Sequence, residues 1–86
     1  MPSRRARKKQ WTRERIIAAG LETFGRKGID SATIDEVALA ADVGKGTIYN
    51  YFRTKEDIVV AFLVTIEREV QSEVARLAHG RASLET

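Results

Sequence analysis

The stretch from Thr33 to Phe52, TIDEVALAADVGKGTIYNYF, holds two helical patterns separated by a three-residue interruption. Thr33 and Glu36 stand at the spacing of a capping box, in which the hydroxyl accepts from a first-turn N–H and the carboxylate reaches back. Val37, Ala38 and Ala41 then draw a narrow apolar face of small residues, which lets another helix approach closely. Asp42-Val43-Gly44 breaks this helix, because aspartate tolerates left-handed backbone and Val43 can plug the corner. A short third helix follows from Lys45 to about Tyr51, with Gly44 as a weak cap. Ile48 and Phe52, four apart, face inward and leave Lys45, Gly46, Thr47, Tyr49, Asn50 and Tyr51 mostly outward. Tyr51 is expected to be exposed. Tyr49, next to Ile48 at the edge of the apolar face, reads equally as half-buried core or as an outward contact.

The flanks supply two more helices. Upstream, Thr12 is expected to cap a first helix, with Trp11 and Ile16 at hydrophobic-staple positions. Ile17, Leu21 and Phe24 continue its stripe, and Gly28 suits the cap beyond Lys27. Downstream, Thr54 and Asp57 open a fourth helix expected to run to about Ala78, before His79-Gly80. Its stripe of Ile58, Phe62 and Ile66 is read as core, and Val70 to Leu77 as apolar surface awaiting a partner. The expected fold is therefore all-α, a three-helix helix-turn-helix domain of homeodomain-like form followed by a long fourth helix. Residues 1–10 read as a basic mobile arm, 11–69 as the domain, and 70–86 as the lead into a further helical domain.

Composition narrows the function classes. A chain of 86 residues holds one small core, and without cysteine and with a single histidine, His79, no cofactor or metal site is expected. The net charge of +3 conceals an asymmetry: Arg4, Arg5, Arg7, Lys8, Lys9, Arg13 and Arg15 crowd the start, while the remainder is mildly acidic. Such an arm points to a polyanion met from one end, or else serves only as a solubilising tail. No apolar run follows it, as a secretory signal requires, and Ile58 to Val64 is too short to cross a bilayer. The protein is accordingly expected to be cytoplasmic, associated with the nucleoid and free of membrane contact. Gly44-Lys45-Gly46-Thr47 superficially resembles a phosphate-binding loop, but Gly46 breaks the required order and no strand precedes it. An enzyme is not expected.

A helix-turn-helix places its second helix in the DNA major groove while the first crosses the backbone. Lys45 can then donate to guanine O6 and N7, Asn50 can reach a base edge through its amide, and Gly46 permits close approach. Tyr49 and Tyr51 offer hydroxyls to phosphates and flat faces to sugars or thymine methyls. Thr33 and Lys55, at helix starts, are candidate phosphate anchors, with Thr47 and Arg53 in support.

Thr33-Ile34-Asp35-Glu36-Val37-Ala38, then Val43 to Phe52, then Lys55-Glu56-Asp57, resemble the N-terminal domain of the TetR (tetracycline repressor) family. The likeness covers about Thr12 to Ala78 and departs from the commonest pattern at Asp42 (often glycine) and Gly44 (often serine). It implies a transcriptional repressor that binds a palindromic double-stranded operator as a homodimer. By position it implies base readout by Lys45, Gly46, Tyr49 and Asn50, and phosphate contacts from Thr33, Thr47, Tyr51 and Lys55. It also implies an inducer site in a helical domain outside these residues. Two other readings compete with it: non-specific nucleic-acid binding through the arm, and a helical protein-interaction module built on the apolar end of the fourth helix.

Overall fold

The computed structural model describes residues 3–85, with side-chain surroundings for residues 3–79; Met1, Pro2 and Thr86, the ends of the expected arm and lead, lie outside. Four helices follow one another: α1 Arg4–Lys27, α2 Ile34–Ala41, α3 Lys45–Tyr49 and α4 Lys55–Glu85. Among the described residues there is no strand, and no helix is long and apolar enough to cross a membrane.

The all-α expectation holds, but the first helix starts well before Thr12. Ser3 is its cap, accepting from the Ala6 N–H at 3.1 Å, and the arm from Arg4 to Gln10 is helical. Arginine, alanine, lysine and glutamine are good helix formers, so one capping serine suffices to carry α1 through a segment whose charge reads as disorder. Thr12 is consequently interior, its hydroxyl donating to the Lys8 carbonyl at 2.9 Å. Trp11 forms no staple; it is exposed on α1, with the Arg15 guanidinium 4.8 Å from its ring centroid.

α1 packs across α2 and α4, and α2 packs on α3. Ile16, Val37, Ile48 and Ile58, one from each helix, are each fully buried, joined by Ile17, Ala19, Ala38, Ala41 and Phe52. Burying a branched aliphatic side chain stabilises by about 1.5–3 kcal/mol, so these four residues carry a large part of the domain's cohesion. α2 opens with the expected capping box and ends at Asp42, at φ 58° and ψ 46°, whose N–H returns to Ala38 and Leu39 carbonyls. Arg15 adds a long-range bond there, donating from Nη2 to the Ala41 carbonyl at 2.6 Å, which ties α1 to the end of α2.

α4 also departs from expectation, in where its core contact ends and in where the helix itself ends. Ile58 is buried and Phe62 half-buried, but Ile66 is 38% exposed, so core contact ends one turn earlier than the apolar periodicity implies. The helix passes through Gly80 to Glu85 instead of stopping at Ala78. A helical glycine costs about 1 kcal/mol relative to alanine, which weakens a helix without terminating it. Val70, Val74 and Leu77 are all more than half exposed, as the sequence leads one to expect of this half, and Leu63, within the stretch read as core, is more than half exposed as well.

Two glycines of α1 separate packing from propensity. A Cβ on Gly20 would stand 2.8 Å from Ile58 Cγ2, whereas one on Gly25 would meet nothing within 4 Å. Gly25→Ala is therefore expected to stabilise by up to about 1 kcal/mol. Gly20→Ala is expected to destabilise on balance by about 1 kcal/mol or more, since crowding a packed core costs about 1–3 kcal/mol. Urea unfolding of both variants checks the opposite signs; shifts in the same direction would refute the close α1–α4 approach.

Candidate nucleic-acid interface

The turn Asp42-Val43-Gly44 sets the direction of α3. Val43 donates back to the Ala38 carbonyl at 3.0 Å and packs against the core, while Gly44 enters α3 with extended backbone and no side-chain cap. Buried Ile48 then fixes the rotation of α3, and the outward face follows from it. Lys45, Gly46, Tyr49 and Asn50 are all exposed along that face. No protein atom lies within 4 Å of a Cβ built on Gly46, so nothing inside the fold requires a glycine there. Its bare backbone matters only to what approaches from outside.

Of the two tyrosines, Tyr49 takes the outward of its two open readings, and Tyr51 departs from its expected exposure. Tyr49 is 48% exposed, whereas Tyr51 is half-buried against the core, its ring tilted on Phe52 at 6.4 Å. The reason is that α3 ends at Tyr49, with Asn50 as its C-cap, and the following turn swings Tyr51 back. The hydrogen bonds from the Tyr51 and Phe52 N–H groups to the Ile48 carbonyl, both 2.9 Å, close that turn.

Beside α3 lies the helical arm. Arg5, Lys8, Lys9 and Thr12 on α1 line a cleft of about 340 Å³ opposite Thr47 and Tyr51. Arg4 and Arg7 are exposed on the same turns but do not line it. Arg13, further along α1, places its guanidinium 5.5 Å from the Phe52 ring centroid and so braces the arm against the end of the helix-turn-helix. Arg53 is exposed after α3.

Three lysines near this surface have partners within the chain. Lys45 Nζ lies 3.4 Å from Asp35 Oδ1. Lys55 Nζ donates to the Asp30 and Ala32 carbonyls at 3.1 and 3.0 Å, tying the start of α4 to the turn before α2. Lys27 pairs with Glu36, whose other oxygen accepts from the Thr33 N–H and hydroxyl. Thr33 is thus a cap by geometry, its hydroxyl accepting from the Glu36 N–H at 3.2 Å. Among the described residues no group of side chains is placed to hold a metal ion. Sequence alone does not single out Asp35, Thr12, Arg13 or Arg15 as parts of this surface; only the fold brings them to it.

The profile described as "Bacterial regulatory proteins, tetR family" matches residues 16–62. The chain is 34% identical over 71 residues to the HTH-type transcriptional regulator SrpR of Pseudomonas putida, covering 83% of this chain and 33% of that protein. It is 37% identical over 60 residues to the regulator TtgW, also of Pseudomonas putida, covering 70% of this chain and 45% of that one. The transcriptional repressor BepR of Brucella suis biovar 1 is 32% identical over 71 residues, covering 79% and 34%. The chain thus spans less than half the length of each of these curated relatives. No solved structure gives a significant match.

The Lys27 ammonium, hydrogen-bonded to Glu36 with help from Thr33 and against some desolvation, holds the Glu36 carboxyl below its ordinary 4.5. A carboxyl whose pKa is lower folded than unfolded stabilises fully above its unfolded value and loses that contribution as pH falls through the folded one. Glu36→Gln is therefore expected to lower Tm at about pH 7 and to shrink the fall in Tm between about pH 5 and pH 3. Parallel Tm–pH curves for the two proteins would contradict the assignment.

Proposed function

The chain belongs to the tetR family of bacterial regulatory proteins, and on that premise we propose that it reads operator DNA for a transcriptional repressor. The observation that carries the reading is the outward face of α3, where Lys45, Gly46, Tyr49 and Asn50 are exposed around the buried anchor Ile48. The relatives are transcriptional regulators, and the chain is not an enzyme. α3 enters the major groove, which is about 12 Å wide. Lys45 and Asn50 present donors and an amide to base edges there, Gly46 lets the backbone close in, and Tyr49 lays its ring against sugar or a thymine methyl.

Phosphates are held around that helix. Thr47, Tyr51 and Arg53 serve from the α3 side, and Arg5, Lys8 and Lys9 from the facing turns of α1, with Arg4 and Arg7 adding to the field. Lys55 keeps a third ammonium donor beyond its two carbonyl partners, and Thr33 stands where the first N–H groups of α2 favour an anion. The whole protein acts in the cytoplasm as a homodimer on a palindrome, because half-sites one helical turn apart, about 34–36 Å, require two linked domains. The inducer is bound outside these residues. A chain lacking that linkage gains no effective concentration from a second half-site and binds weakly.

Selection of duplexes from a randomised library, followed by fluorescence-anisotropy titration across salt concentrations, tests this reading. Log affinity is expected to fall linearly with log salt. Lys45→Ala is expected to change the preferred base at one position per half-site, by about 1–3 kcal/mol. Arg53→Ala is expected to weaken all duplexes alike and reduce the salt slope by about one. Recovery of no preferred sequence would favour non-specific binding through the basic turns of α1.

A further inference from the structure

Asp35 stands in the first turn of α2, where a carboxylate suits the helix dipole, and it also sits beside Lys45 on the proposed reading surface. The α2 cap is made by Thr33 and Glu36, and Asp35 takes no part in it. Its nearest charged partner is Lys45, the first residue of α3, at 3.4 Å between Oδ1 and Nζ. The two side chains are 71% and 50% exposed, so the pair contributes little to folding. A carboxylate on a surface that meets phosphates needs another account.

We propose that Asp35 determines specificity by acting through Lys45, suppressing attraction to arbitrary duplex while leaving readout of a purine edge intact. The proposal rests on the reading that Lys45 faces DNA. An ammonium has three donors and no acceptor. Alone, it is drawn to any phosphate, because that attraction is independent of sequence. With Asp35 alongside, the pair is close to neutral toward a phosphate, and the carboxylate repels that anion. The contact is an ion pair at 3.4 Å, so the ammonium keeps its donors for the neutral O6 and N7 acceptors of guanine, which Asp35 does not repel in the same way. The ion pair therefore subtracts more from non-specific than from specific binding, which is how a repulsive element creates selectivity. It also restricts a flexible side chain before DNA arrives, lowering the ordering cost of contact.

The test uses the intact protein with two probes: a random-sequence duplex and the best duplex recovered by library selection. Asp35→Asn is expected to tighten random-duplex binding about fivefold, the scale of one charge near a surface, and to steepen its salt slope by about one. Binding to the selected duplex should change by less than about twofold, so the ratio between the two falls. Asp35→Glu, which restores the charge, should behave as the parent protein. In a Lys45→Ala background, Asp35→Asn should no longer tighten random-duplex binding. An unchanged ratio, or the same gain with and without Lys45, would overturn the proposal. Circular dichroism and Tm matching the parent confirm that each variant is folded, as the exposure of both side chains leads one to expect. Failure of the underlying reading shows elsewhere: Lys45→Ala would leave the selected base preference untouched.

Discussion

Ile16, Val37, Ile48 and Ile58 meet in one fully buried cluster, and each belongs to a different helix. α3 has only five residues, far fewer than a helix needs to persist alone in water. Its existence and its rotation therefore both come from Ile48 entering that cluster. Asp42 completes the constraint, since its left-handed backbone is what lets α2 stop and α3 depart within three residues. It is the one residue other than glycine with positive φ among those described. Aspartate bears that conformation at modest cost, which is why a position often occupied by glycine in the family can carry it here.

The same logic extends outward to the charged groups. Arg15 reaches the last turn of α2, Lys55 holds the turn before α2, and Lys27 holds Glu36 within the cap. α2 is thus fastened at both ends by cations from other helices, and α3 inherits its position from α2. Cationic side chains here act first as internal ties, and their remaining donors and fields face outward. The surface presented to a polyanion is to that extent organised in advance.

Legibility in the sequence divides along the range of the interaction. Thr33 with Glu36 and Thr54 with Asp57 are three apart, and both boxes form as their spacing indicates. The inward pair Ile48 and Phe52 is equally plain from helical spacing, and both are buried. Ser3 escapes notice because five basic side chains within residues 1–10 read as an unstructured arm, and charge masks a simple cap. Tyr51 is misread because α3 stops sooner than its pattern, and the turn that follows swings its ring back toward the core. The partners of Lys45 and Lys55 are ten and more than twenty residues away, across turns whose geometry no local pattern encodes. Which residues of α3 turn inward is therefore readable, and which groups from distant elements hold one another is not.

The helical form of the basic segment changes what kind of association it supports. A disordered arm loses conformational freedom when it engages, and that ordering opposes binding and gives coupled folding its thermodynamic signature. Here Arg5, Lys8, Lys9 and Thr12 already lie on one side of α1, at the three- and four-residue steps of a helix, facing α3 across a cleft. Their charges form a fixed array rather than a fluctuating cloud. Under the proposed function, encounter with a polyanion would be governed by orientation, long-range attraction turning the body so that its charged edge arrives first. The rate of capture would then depend on that edge as a rigid antenna, not on how far a loose tail can reach.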